Sequence, residues 1–342
     1  MNVFELTRAL VDIESVTGNE AGVGSYILDR LLRFARSTGG RVERMDVEAD
    51  RFNVFASWGE PIVTLSTHMD TVPPFLTSGE EEDHISGRGS CDAKGIMASM
   101  IGAAEKLRAD GVGHFALLFL VGEERDGAGA RVAAQSPRGS RYLINGEPTE
   151  NKLAVASKGA LRLELIARGV AAHSAYPELG ESAVEKLLDV LDDVRRIPLP
   201  SDELLGPSTL NIGTISAGRA PNVIADYARA EIMIRTVGGA AAVEAALVSA
   251  AGARAEVKEI LAVPPVNFER VEGFSTTVVS YTTDVPILGP GWGKPLLIGP
   301  GNIHLAHTAG ERVSKKELVA AVDIYAALVG RLLSGPLSVT AS

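Results

Sequence analysis

The 342-residue sequence predicts an α/β protein in two parts: a mixed, largely parallel sheet flanked by helices, interrupted by an inserted α+β unit of βαββαβ order. Three observations carry that expectation. Short apolar runs alternate with helical periods up to residue 157, the pattern of a sheet with helical crossovers. From Lys158 the rhythm changes to in-and-out alternation, with Leu161, Leu163 and Leu165 set against Arg162 and Glu164, as in a strand covered on one face. Residues 266–342 hold too little periodic structure to bury a core alone, so they are expected to return and complete the first part. The expected division is therefore 1–157 with 266–342, and an insert at 158–265.

Taken in order, residues 2–37 place Val23, Ile27, Leu28, Leu31 and Leu32 at helical spacings. Thr17-Gly18-Asn19-Glu20 interrupts that helical stretch and Gly39-Gly40 ends it. Strands are expected at 42–47, 52–58 and 62–67, followed by a loop at 76–90, which is rich in Gly, Ser and acids. A helix at 93–107, a buried strand at 114–121, a helix at 128–135 and a strand at 142–145 continue the alternation. Within the insert, strands at 160–167, 210–215, 225–235 and 255–261 enclose helices at 182–194 and 240–251, a compact sheet with two helices on one face. A strand at 296–298 and a helix at 314–333 close the chain.

Lys and Arg number 33 against 43 Asp and Glu, and the net charge of -10 argues against a broad nucleic-acid surface. The single cysteine, Cys91, cannot form an intrachain disulfide, and it reads as a small packing residue rather than a nucleophile. The N-terminus lacks the basic and apolar regions of a secretory leader, and no apolar run is long enough for a bilayer. A soluble, cytoplasmic protein without membrane partners is expected.

Polar residues gather where apolar strands end, the place where functional groups of open α/β sheets collect. His68 and Asp70 stand two positions apart after the run Ile62–Leu65, so in extended chain their side chains point to one side. They read either as a metal-binding imidazole with its orienting carboxylate or as a polar strand end around a satisfied histidine. Asp92, just before a helix, is either a helix cap or a ligand. Glu123 and Glu124 follow a buried strand, where adjacent carboxylates want a cation or a proton between them; the alternative is a solvated acidic turn. Glu147 ends the next strand, and the segment from Gly299 to His307 supplies a second imidazole. The set suits a pair of borderline cations such as zinc, each with mixed N and O ligands. Gly87-Arg88-Gly89 is not read as a dinucleotide loop, because Asp92 stands where that motif requires its third glycine.

These motifs resemble those of the M20 metallopeptidases and deacylases, among them acetylornithine deacetylase, succinyl-diaminopimelate desuccinylase and carboxypeptidase G2-like enzymes. His68 to Pro73, Gly87 to Gly95, Glu123-Glu124, Gly146-Glu147-Pro148 and Ala306-His307 carry the resemblance, which spans nearly the whole chain. It implies two Zn2+ ions, with Co2+ or Mn2+ as substitutes, bridged by Asp92, with His68 and Glu147 on one ion and Glu124 and His307 on the other. It implies Glu123 as general base and Asp70 as the partner of His68. His307 is preferred over His304 because the family's histidine follows Ala and precedes an acid, here Glu311.

In the insert, Gly169 to Pro177 is similar to the family's lid segment, whose histidine, here His173, contacts the substrate carbonyl, often across a homodimer interface. Asn222 and Arg235 resemble its substrate-contacting asparagine and arginine, and Gly299 to Gly301 a loop that holds a substrate carboxylate. As bare residues, His173 reads equally as a surface histidine and Arg235 as a strand-edge charge. Thr236-Val237-Gly238 departs from the Pro that many members carry there. The expected activity is hydrolysis of the amide bond of a small N-acylated amino acid. An exopeptidase or dipeptidase acting on short peptides is the alternative, and an inactive metal- or peptide-binding scaffold a third reading, disfavoured by the retained Glu123.

Overall fold

A computed structural model of the chain describes residues 1–335. Two compact units emerge. One comprises Met1–Val155, Phe268–Thr277 and the described residues from Thr283 on, and the other Ala156–Asn267 with Val278–Thr282. Residues 336–342 of the expected C-terminal segment lie outside the described ones. The helices are α1 (Val3–Val11), α2 (Ala21–Thr38), α3 (Lys94–Ala109), α4 (Ala128–Ala134), α5 (Ala183–Arg195), α6 (Ala240–Ala251), α7 (Val285–Leu288) and α8 (Lys315–Ser334).

In the first unit the strands Val63–His68, Phe115–Leu120, Tyr142–Asn145 and Lys294–Leu297 run parallel, in register from Val63 opposite Phe115 to His68 opposite Leu120. Parallel neighbours need crossovers, and α3 and α4 supply them. The first three of these strands are buried at every position, and Phe115–Leu120 is accordingly an unbroken apolar run in sequence. Antiparallel strands at Arg41–Glu48 and Arg51–Trp58 extend one side, and Leu153–Ser157 joins the other at Ala154 opposite Leu297. The sheet is thus mixed and largely parallel, as expected.

Local sequence sets the helix ends. Asn2 Oδ1 accepts from the Phe4 and Glu5 N–H groups while Glu5 returns a carboxylate to the Asn2 N–H, a capping box that starts α1. Gly39, at φ 74°, ends α2 in the left-handed conformation that glycine adopts without a side-chain clash. Helix α8 packs on α3 and buries Leu318, Tyr325, Leu328 and Leu332, each apolar side chain contributing about 1.5–3 kcal/mol. No described helix is long and apolar enough to cross a membrane.

Two elements depart from expectation. The stretch read as a loop at 76–90 contains short strands, Gly79–Glu80 and His84–Ser86, that form a small sheet with Arg312–Ser314. The partner lies far along the chain, so no local period announces it. Leu153–Ser157, to which no element is assigned from the sequence, is a buried strand.

The second unit follows the expected order. Strands Gly159–Arg168, Thr209–Ala217, Tyr227–Thr236 and Glu256–Val263 form an antiparallel sheet in the spatial order 209–217, 227–236, 159–168, 256–263. Leu161, Leu163, Leu165, Ile232 and Ile234 pack with Leu187, Val190 and Leu247 of α5 and α6. Arg162 pairs with Glu231 across neighbouring strands.

Candidate metal centre

His68 is the last residue of a fully buried strand, so its imidazole is fixed by packing and is 1% exposed. Its Nδ1 lies 3.0 Å from the Asp70 carbonyl oxygen and 3.5 Å from Asp70 Oδ1, and its Nε2 lies 3.0 Å from Asp92 Oδ1. Asp70 does more than face the ring. Its carboxylate accepts from Thr17 Oγ1 at 2.7 Å and from the N–H groups of Glu123 at 3.1 Å and Glu124 at 3.2 Å. One buried anion therefore orients the imidazole and fixes the turn that carries both glutamates, through bonds worth about 1.5–3 kcal/mol each. Asp70→Asn would set an amide N–H2 against at least one of those donors. We expect 10- to 100-fold weaker metal binding with the fold retained, measured by competition with a chromophoric chelator; unchanged affinity and activity would leave Asp70 a structural residue only.

The capping role for Asp92 does not occur. Helix α3 begins at Lys94 with Ala93 at its cap, without a side-chain hydrogen bond. The Asp92 carboxylate points instead between two imidazoles, with Oδ1 at 3.0 Å from His68 Nε2 and Oδ2 at 3.5 Å from His307 Nε2. His307 Nε2 also meets Glu124 Oε1 at 3.0 Å. His307 holds a φ of 62°, a left-handed conformation that costs a non-glycine residue about 1–2 kcal/mol. Glu147 is buried, and among the described residues its Oε1 has no hydrogen-bond partner.

Glu123 and Glu124 ride on a tight turn. Its closure brings the N–H groups of Asp126 and Gly127 to the Gly122 carbonyl oxygen at 3.1 and 2.7 Å. Gly122 has φ 81°, and a Cβ there would stand 2.9 Å from an Arg51 nitrogen. Asn53 clamps the base of the turn, donating to the Gly129 carbonyl oxygen and accepting from the Val121 N–H.

The electrostatics are those of crowded acids around two imidazoles. Burial pushes the carboxyls of Glu123, Glu147 and Glu124 upward, assisted in each case by neighbouring anions. Burial also opposes the Asp92 anion, but hydrogen bonds from His307 and His68 win and hold that carboxyl below its usual range. His68 is raised despite its burial, because Asp70 and Asp92 stabilise the imidazolium, and His307 is pushed up to about 10 by Asp92 and Glu124. This crowding of carboxylates and imidazoles suits metal cations: one ligand atom from each of His68, Asp92 and Glu124 falls within 4.8 Å of the others, and the charge of Glu147 bears on the same groups.

The remaining expected residues fall in other surroundings. Gly299 donates its N–H to Thr149 Oγ1 and Gly301 its N–H to Glu317 Oε2, both within the unit. His304 is exposed and donates its backbone N–H to Asn302 Oδ1. In the second unit His173 is exposed, its Nδ1 accepting from the Ala175 N–H at 3.1 Å. Asn222 lies beside it, joined by its carbonyl oxygen to the Ser174 N–H, and Arg235 donates to Thr282 Oγ1 at 3.4 Å. Cys91 is buried with Sγ 3.5 Å from the Asn302 carbonyl oxygen, and burial raises its thiol pKa.

Sequence reasoning missed Asp284. It is buried just before α7, its carboxyl is pushed up to about 7 by burial with further contributions from Asp70 and Asp126, and its charge bears on Glu123 and Glu147. No apolar strand precedes it, so nothing in the sequence marks it except its place ahead of Val285-Pro286.

Imidazoles and carboxylates converging at the ends of parallel strands, in a chain that also carries a βαββαβ unit, define the class of metal-dependent hydrolases of amide or peptide bonds. The chain belongs to peptidase family M20/M25/M40, whose family model matches residues 64–331. A peptidase M20 domain-containing protein of Schizosaccharomyces pombe is 39% identical over 340 residues, covering 96% of this chain and 84% of that protein. A probable carboxypeptidase of Aspergillus niger is 37% identical over 368 residues, covering 94% of this chain and 88% of its own length. Among solved structures, the YXEP protein of Bacillus subtilis, a dinuclear metal binding peptidase from the M20 family, superposes with a TM-score of 0.71 at 17% identity, covering 97% of this chain and 98% of that one. At that identity the likeness concerns the fold.

Proposed function

We propose that the chain hydrolyses the amide bond of a small substrate at a centre of two divalent cations, zinc by preference. The observation that carries this reading is the Asp92 carboxylate, whose two oxygens face different imidazoles, with Glu124 on one side and, in the same cluster, a Glu147 oxygen that has no hydrogen-bond partner among the described residues. That donor set is N and O only, which suits zinc and also cobalt or manganese. In this reading Asp92 would serve both cations, His68 and Glu147 would hold one, and Glu124 and His307 would hold the other.

Zinc bound there supplies Lewis acidity and brings the pKa of water to about 7. The protein's own part is to hold and move a proton. Glu123 has no role as a ligand in this assignment, and burial favours its protonated form. It is therefore suited to take a proton at its carboxylate and return it to the leaving amine, a role typically worth about 100- to 10,000-fold. Asp70 orients His68 and the backbone of Glu123 and Glu124 together. His173, Asn222 and Arg235 are proposed as substrate contacts on their motifs, with the homodimer that the His173 motif implies; Gly299 and Gly301 serve as close-packed wall.

Two substrate classes fit. The motifs favour an N-acylated amino acid, whereas the probable carboxypeptidase of A. niger favours a short peptide. A panel of acetylated and succinylated amino acids and dipeptides, offered to the zinc-loaded chain, separates them. Cleavage of one class is expected; a fully loaded chain that cleaves neither would support the binding scaffold instead.

A further inference from the structure

Glu311 lies at the foot of the small sheet, one residue before Arg312, which pairs with Ser86. It is 1% exposed, and its carboxylate turns to the loop that carries Asp92. Oε1 accepts three backbone N–H groups, from Gly89 at 2.9 Å, Cys91 at 3.2 Å and Asp92 itself at 3.2 Å. Oε2 accepts from the guanidinium of Arg88 at 2.5 Å, and Arg88 is 2% exposed. The same guanidinium donates to the carbonyl oxygens of Thr308 and Pro74. The Glu311 carbonyl oxygen accepts from the Gly87 N–H at 3.1 Å.

One side chain thus wraps the 87–92 loop from within while belonging to the segment that carries His307, four residues earlier. We propose that Glu311 is a positioning residue that sets where the Asp92 carboxylate stands relative to His307 and His68. The physical reason is the direction of its bonds. They fix the main chain at Gly89, Cys91 and Asp92, so the carboxylate of Asp92 extends from a held anchor. This inference rests on the metal-centre reading above, and its test separates the two.

Glu311→Gln keeps the shape but turns an amide N–H2 toward either Arg88 or the backbone donors. Glu311→Asp keeps the charge but falls one methylene short of spanning both. In the full-length chain, each is expected to bind zinc 10- to 100-fold more weakly in competition with a chromophoric chelator, the scale typical for loss of an outer partner of a metal ligand. The visible absorption bands of the cobalt-loaded chain are expected to shift as well. A merely structural residue would lower the melting temperature of the metal-free chain and leave affinity and cobalt bands unchanged. A folded variant of either kind with wild-type zinc affinity and cobalt bands overturns the proposal; should Glu311→Gln not fold, Glu311→Asp decides it. A wild-type chain that binds neither zinc nor cobalt removes the metal centre, and the role of Glu311 with it.

Discussion

Glu123→Gln is expected to retain its metal and to lose hydrolysis by about 100- to 10,000-fold, the worth of a positioned proton carrier. The substitution is isosteric, so the turn closed on the Gly122 carbonyl oxygen and anchored to Asp70 through backbone N–H groups keeps its geometry. The amide cannot accept the proton that the carboxylate would carry. Because the loss falls on chemistry rather than binding, it is expected in kcat with little change in KM. Metal content and turnover should be measured on the same preparation. Turnover within tenfold of wild type would remove Glu123 from the proton path, and loss of metal would reassign it as a ligand.

The same contrast explains which parts of the site were legible in the sequence. His68, Glu123 and Glu147 stand at or just past the ends of strands buried at every position, whose apolar residues make those ends visible, most plainly in Phe115–Leu120. The adjacent pair Glu123-Glu124 is conspicuous because it follows such a run. The role of Asp92 could not be decided locally, since a helix cap and a ligand look alike before a helix; its partners His68 and His307 settle its surroundings from far along the chain. Asp70 was readable as a neighbour of His68, but its bonds to the Glu123 and Glu124 N–H groups are long-range and have no signature.

The less legible residues share one physical feature. Glu311 was visible only as an acid a short distance after His307, and its bonds to the Asp92 loop depend on a strand pairing, 84–86 with 312–314, that no periodicity foretells. Asp284 sits ahead of a single-turn helix in a region without apolar period. The fold was easier, because the alternation in Leu161 to Leu165 and the spacing in α2 and α8 record directly which face is covered. Patterns reveal faces; they do not reveal which distant chain segment supplies a hydrogen bond.

Removal of metal is the second large effect. The Asp92 carboxylate stands between His68 and His307, and burial with neighbouring anions raises Glu123, Glu124 and Glu147 toward their neutral forms. Without metal no group of the site supplies Lewis acidity to water, and protons compete for the same donors, so hydrolysis after chelation is expected to fall to background. Refilling should displace those protons and restore activity, and binding should weaken as pH falls because the same nitrogens and oxygens are contested. The most direct measurement is a zinc titration of the chelated chain that follows binding and hydrolysis together. Two zinc ions per chain, with activity returning as they bind, is the predicted result; hydrolysis undiminished in the metal-free chain would contradict the account.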